Sequence, residues 1–170
     1  MNVLSLFDGI SCAYLALKKL NIPITNYYAS EIDKYAIQVS KANNPNIIHL
    51  GDVRNIEPTK LPKIDLLIGG SPCQDFSRIG MKQGGEVGSG TRSSLLFDTI
   101  RIIKEMKVKP TWVIWENVKG VLDRNMRDSF FYYLKELEEL GYQNKFEILN
   151  AIDFGIAQKR ERLFVVSFLA

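Results

Sequence analysis

The chain of 170 residues predicts an α/β fold: a mostly parallel, seven-stranded sheet wrapped by helices on both faces, with an antiparallel hairpin at its C-terminal edge. Two observations carry that reading. Short runs rich in Val, Ile, Leu or aromatic residues alternate with longer stretches of helical spacing, and the last two runs follow one another with no helical pattern between them. Length and a roughly half-apolar composition fit a single domain with a proper core.

NVLSLF (2–7) is the first run, followed by helical spacing over Ser11–Leu20. NYYAS (26–30) precedes a second helix at Lys34–Asn43, and NIIHL (46–50) and IDLLIG (64–69) are the third and fourth strands. A third helix, Ser94–Met106, leads into TWVIWE (111–116). In Asp128–Leu140 the residues Phe130, Phe131, Leu134, Leu137 and Leu140 fall at i, i+3 and i+4, which makes one apolar helix face. KFEILNA (145–151) and RLFVVSF (162–168) are the closing pair, close enough in sequence to form a hairpin. Residues 81–94 carry four glycines within seven positions and read as a loop.

Charge excludes little: 22 basic against 19 acidic residues give +3, which permits a nucleic-acid partner without demanding one. Cys12 and Cys73 lie 61 positions apart beside a single histidine, His49, so neither a disulfide framework nor a zinc site of known spacing assembles. Free thiols, an N-terminus without a signal pattern and the lack of any membrane-length apolar run predict a cytoplasmic protein with no membrane partner.

Ligands of open α/β sheets sit outside the carboxyl ends of the strands, so the loop after the first strand is informative. It reads LFDGISCAYLAL, with one glycine, Gly9, where a pyrophosphate cradle needs several. Glu31 ends the second run 22 residues after Gly9, the spacing of a carboxylate that accepts from a ribose diol, and Asp52 follows the third run. Together with Asp8 these acids suit a phosphate-free nucleoside cofactor, of which S-adenosylmethionine is the common one. The competing reading makes each acid a cap for the helix after it. GEVGSG (85–90) has phosphate-loop glycines, but Thr91 and Arg92 stand where Lys and Ser or Thr are needed, and a nucleoside triphosphatase is rejected.

Ser71-Pro72-Cys73-Gln74 follows the fourth strand, where unpaired backbone N–H groups would favour a thiolate; an inert buried thiol is the alternative. Glu116 and Asn117 end the fifth strand, and burial of the acid beside two tryptophans would favour proton donation, against a plain capping role. Arg160 and Arg162, at i and i+2 in an extended segment, point the same way and could clamp an oxygen of a base or orient the acid.

FDGIS, GSPCQDFS, ENV and QKRER occur in the order and spacing of the cytosine-5 DNA methyltransferase family, which the chain resembles over nearly its whole length. The resemblance implies a Rossmann-like S-adenosylmethionine-dependent methyltransferase fold and transfer of a methyl group to C5 of cytosine in duplex DNA. It makes Cys73 the nucleophile that adds to C6 of a flipped cytosine. Glu116 would act at N3, Asn117 would hold the loops around it, Arg162 would contact O2, and Arg160 would support the acid or the nucleophile. For the cofactor it implies Phe7, Asp8, Gly9 and Ile10 in the first loop, Glu31 on the ribose with Ile32 against the adenine, and Asp52 and Val53 at the adenine. Gly69, Pro72 and Leu95 would line the methionine side. The loop after Ser77 matches the family's mobile catalytic loop.

Two departures stand out. Ser11 or Cys12 occupies a place where many relatives have a further glycine. Residues 1–170 also read as a catalytic core without the target-recognition region and the closing cofactor-pocket segment. That predicts a fragment, a split enzyme whose second chain carries the recognition region, or a degenerate protein, and an apolar surface left open on the core. Rival functions are a silent subunit supporting an active methyltransferase and a tRNA cytosine-5 methyltransferase. A bacterial or phage origin is expected.

Overall fold

The structure, a computed structural model, describes residues 1–71, 95–124 and 126–170; Pro72, Cys73, the glycine-rich stretch and the side chain of Leu95 lie outside the described residues. Seven strands, β1 (Asn2–Leu6), β2 (Asn26–Ser30), β3 (Ile48–Gly51), β4 (Leu66–Gly69), β5 (Trp112–Val118), β6 (Tyr142–Asn150) and β7 (Glu161–Leu169), form one sheet in the order β3-β2-β1-β4-β5-β7-β6. Helices α1 (Cys12–Lys19), α2 (Lys34–Asn43), α3 (Leu95–Glu105) and α4 (Arg127–Glu139) connect them. β1 through β5 pair in parallel, and β7 runs antiparallel to both of its neighbours. The predicted hairpin is therefore present, with the last strand inserted between β5 and β6. Strand order reverses at β1 and β4, so the crevice above their carboxyl ends is where a ligand fits.

Alternation along the strands divides the core in two. Leu4, Leu67, Val113, Trp115, Leu163 and Val165 point to one face, where α3 and α4 cover them. α4 buries Phe130, Tyr133, Leu134 and Leu137, the stripe its sequence spacing lays out, and Phe130 stacks on Trp115 at 6.0 Å. On the other face Val3, Tyr27, Ala29 and Leu66 pack with Leu17 of α1. Farther along that second face Trp112, Val166 and Phe168 are only partly covered: they are 41%, 38% and 41% exposed, and Trp112 and Phe168 lie 4.6 Å apart. An apolar strip stands open there, on β5 and β7. No helix among the described residues is long and apolar enough to cross a membrane.

β6 begins three residues before the apolar run that announces it. Gln143 and Asn144 hide its start, because Asn144 satisfies its polar groups inside the structure: it donates to the Leu134 carbonyl and accepts from the Ser167 hydroxyl. Gly141, at φ 97°, ends α4 in the left-handed conformation that glycine adopts most easily and sends the chain into the strand.

Candidate functional site

The loop after β1 is built from backbone conformations that side chains normally avoid. Phe7, Gly9 and Ser11 have φ of 57°, 60° and 68°; for the two non-glycine residues this costs about 1–2 kcal/mol each. Main-chain contacts hold the turn, from Asp8 N to Ser30 O at 3.0 Å and from Ser11 N to Asp8 O at 3.1 Å. A Cβ at Gly9 would meet nothing within 4 Å, so the loop faces open space at this point.

The three acids at strand ends have three different fates. Glu31 accepts from Gly9 N at 2.7 Å through Oε2, and from Ile32 N at 2.8 Å and Asp33 N at 2.9 Å through Oε1. It does not cap α2; Asp33 does, accepting from Tyr35 N and Ala36 N. Asp52 does act as a cap, for the short turn Val53–Asn55, and its carboxylate is also held by the Arg54 guanidinium, which keeps its pKa below the ordinary value. Asp8 is turned inward, accepting from the Tyr27 hydroxyl at 2.7 Å and from the Ser11 hydroxyl. Burial, reinforced by Asp8, raises the Tyr27 pKa far above its usual value and keeps that hydroxyl a donor.

A chain of buried polar groups extends from there. Ser11, fully buried, has its hydroxyl 2.6 Å from that of Ser40 on α2, and Ser40 Oγ lies 3.4 Å from Nε2 of His49 on β3. His49 Nδ1 is buried with no hydrogen-bond partner among the described residues. Burial first, then Lys41, lowers the His49 pKa, with Asp8 opposing them. The folded-state value thus lies below the unfolded one, near 6.5. The stability that follows from a neutral His49 is complete above about pH 6.5 and is lost as pH falls below it toward the folded value. Urea unfolding at pH 7 and pH 5 should show a larger loss of stability in the wild type than in His49→Gln; equal losses would contradict this assignment.

For a phosphate-free nucleoside the fit is good on one side. Three N–H donors fill three of the roughly four acceptor positions of the Glu31 carboxylate and leave capacity on Oε2 for a hydroxyl. Ile32 and Ile10, 72% and 47% exposed, present apolar surface beside it. Val53 is in the core, so only its backbone remains available to a ligand, and Asp52 is engaged by Arg54. Phe7 packs partly against the core. Gly69 is required by sheet geometry, since a Cβ there would come within 2.5 Å of Leu6 O.

A second group gathers at the end of β5. The strand's period of two sends Trp115 into the core and Glu116 to the opposite face, so the acid is not buried between tryptophans as expected; its side chain is 38% exposed. Its neighbour is Arg162, whose Nε is 3.1 Å from Glu116 Oε1. Arg160 and Arg162 both line a cavity of about 260 Å³ with Glu116, Phe154 and Phe164. Gly70, the first residue of the GSPCQDFS motif, packs directly on the acid: a Cβ would lie 2.6 Å from Glu116 O and 2.8 Å from Oε2.

Asn117, buried, donates from Nδ2 to the Ser71 carbonyl at 2.9 Å, and its Oδ1 accepts from Val118 N. Trp115 Nε1 reaches the Ser71 hydroxyl at 3.4 Å. The main chain two residues before Cys73 is thereby tied to the strand that carries Glu116. Sequence reasoning gave no role in the site to Tyr27, Ser40 or His49, and it quoted Gly70 and Ser71 only as the start of GSPCQDFS without assigning them contacts.

Comparison with known proteins identifies the family and the fold. A family model described as "C-5 cytosine-specific DNA methylase" matches residues 1–170. Type II methyltransferase M2.ScrFI of Lactococcus lactis subsp. cremoris is 43% identical over 158 residues, covering 90% of this chain and 43% of that protein. Type II methyltransferase M.NgoBI of Neisseria gonorrhoeae is 39% identical, covering 97% and 50%. Orphan methyltransferase M.SPRI of Bacillus phage SPR is 37% identical, covering 98% and 37%. The chain therefore spans half or less of the length of these curated relatives. Among solved structures, the Entamoeba histolytica methyltransferase EhMeth superposes with a TM-score of 0.80 at 21% identity, covering 100% of this chain and 53% of that one. The S. pombe Dnmt2 methyltransferase gives 0.74 at 20%, covering 99% and 49%; both bear on the fold alone. With the family matched from the first residue to the last and the sheet shared with solved methyltransferases, the chain belongs to the C-5 cytosine-specific DNA methylase family.

Proposed function

We propose that residues 1–170 are the catalytic core of a DNA (cytosine-5-)-methyltransferase acting on a cytosine swung out of duplex DNA. The observation that carries the reading is the meeting of Glu116 and Arg162, 3.1 Å apart, over a cavity that Arg160 also lines. Asn117 adds to it by anchoring Ser71 two residues ahead of Cys73. The family match supplies the reaction class.

Bound S-adenosylmethionine supplies an electrophilic methyl group on a sulfonium. Glu31 is assigned to its ribose, Ile32, Asp52 and Val53 to its adenine, Phe7, Asp8, Gly9 and Ile10 to the first loop of the pocket, and Gly69, Pro72 and Leu95 to the methionine side. Cys73, as thiolate, adds to C6 of the cytosine and raises the electron density at C5. Glu116 holds a proton at N3, which eases that addition, while Arg162 steadies O2 and Arg160 supports the acid. C5 would take the methyl group as the S–CH3 bond breaks and its electron pair stays on sulfur; a base then removes the C5 proton, whose bonding electrons restore the C5–C6 double bond as Cys73 leaves with the electrons of its bond to C6.

The reader of DNA sequence is assigned to a segment outside these residues, in the same protein or on a second chain. The open strip of Trp112, Val166 and Phe168 is a surface of the kind such a segment would cover. The Type II methyltransferases among the relatives support a place in a bacterial or phage-borne restriction-modification system.

Fluorine at C5 cannot leave as a proton, so duplex DNA containing 5-fluorocytosine should trap the protein as a denaturation-resistant adduct in the presence of S-adenosylmethionine. Peptide mapping should find the nucleotide on Cys73. With the segment that reads DNA sequence present, an adduct on the exposed Cys12, or none at all, would overturn the mechanism.

A further inference from the structure

The largely buried chain Tyr27–Asp8–Ser11–Ser40–His49, with Asp8 and His49 half-buried at its joints, links β2, the loop after β1, α2 and β3, and the chemistry assigned above uses only its Asp8 member. Its hydrogen bonds have a forced direction. Both Asp8 oxygens accept, one from Tyr27 and one from Ser11. Ser11 has a single hydroxyl proton and gives it to Asp8, so its oxygen must accept from Ser40. Ser40 in turn has no proton left for His49, and the imidazole must donate from Nε2. That leaves Nδ1 as a buried lone pair, which matches its lack of a partner among the described residues.

Ser11 sits at the head of α1 but makes no side-chain cap bond; its hydroxyl is spent on Asp8 and Ser40 instead. It does so at φ 68°, in the left-handed region that residues with a side chain rarely adopt. We infer that Ser40 and His49 are positioning residues for the cofactor loop. Through the Ser11 hydroxyl they hold a non-glycine residue in the left-handed conformation, which fixes the Gly9 N–H against Glu31. The link to the cofactor rests on the S-adenosylmethionine reading; the link to the loop does not.

Hydrogen exchange of the ligand-free protein separates the two. Ser40→Ala should speed exchange at the Gly9 and Ser11 amides by about tenfold and leave the core amides of β1 and β5 unchanged. His49→Leu should do the same, whereas His49→Gln, which keeps a donor near the Nε2 position, should stay close to wild type. In a Ser11→Gly background, where the left-handed conformation carries no penalty, Ser40→Ala should add nothing. Affinity for S-adenosylmethionine should fall about fivefold in Ser40→Ala, in step with loop exchange. Unchanged loop exchange in Ser40→Ala, or a full effect in the Ser11→Gly background, would overturn the inference. The expected exchange pattern in a protein that binds no S-adenosylmethionine would leave the network standing and remove the cofactor reading.

Discussion

Glu116→Gln should lower single-turnover methyl transfer to duplex DNA by about 10²- to 10⁴-fold, the range by which a positioned general acid speeds its step. The substitution keeps the shape of the side chain, which matters because Gly70 leaves no slack: its backbone packs on the acid so closely that a Cβ would lie 2.8 Å from Oε2. What is lost is the proton the acid form gives to N3, and with it the ion pair that the ionised form makes with Arg162. Affinity for S-adenosylmethionine should stay within about twofold of wild type, since β2 and β5 are three strand spacings apart, roughly 14 Å, beyond the reach of ordinary coupling. A fall in the transfer rate with binding intact assigns Glu116 to the chemical step. A rate within about threefold of wild type, measured with labelled methyl donor, would remove it from that role.

The fold was legible because its signals are local. Each apolar run became a strand and each stretch of helical spacing a helix, with Asp33 and Gly141 marking the start of α2 and the end of α4. What stayed hidden depends on partners distant in sequence. Gln143 and Asn144 read as loop until Leu134 and Ser167 are seen to satisfy Asn144. The acids Asp8, Glu31 and Asp52 look equivalent along the chain, yet the Tyr27 hydroxyl, the Gly9 amide and the Arg54 guanidinium send them to three different jobs. Glu116 shows the same limit from another side: its neighbour Trp115 suggested burial, but strand alternation places the two on opposite faces. The pairing of Glu116 with Arg162 follows from the antiparallel register of β5 and β7, which sets Val118 opposite Arg162 and Glu116 opposite Phe164.

Glu31→Ala should weaken S-adenosylmethionine binding by at least about 100-fold, because charge-assisted hydrogen bonds are worth roughly 1.5–3 kcal/mol each and the substitution removes several acceptor positions at once. The amides of Gly9, Ile32 and Asp33 lose their common acceptor, so the loop after β1 and the turn into α2 lose their tie to each other. A lower melting temperature is expected as well, and by itself it would not distinguish a ligand-binding carboxylate from a structural one. Glu31→Gln makes that distinction. Its amide oxygen can still serve part of the N–H cluster, while its NH₂ group faces a donor it cannot accept from, so stability should fall between those of the wild type and the alanine variant. A purely structural Glu31 would make affinity follow stability along that series. A carboxylate that also receives a ribose hydroxyl loses that acceptor in both variants, so Glu31→Gln should bind almost as poorly as Glu31→Ala despite its better stability. Titration calorimetry beside thermal melts of the three proteins decides between them, and affinities that simply track the melting temperatures would return Glu31 to a structural role.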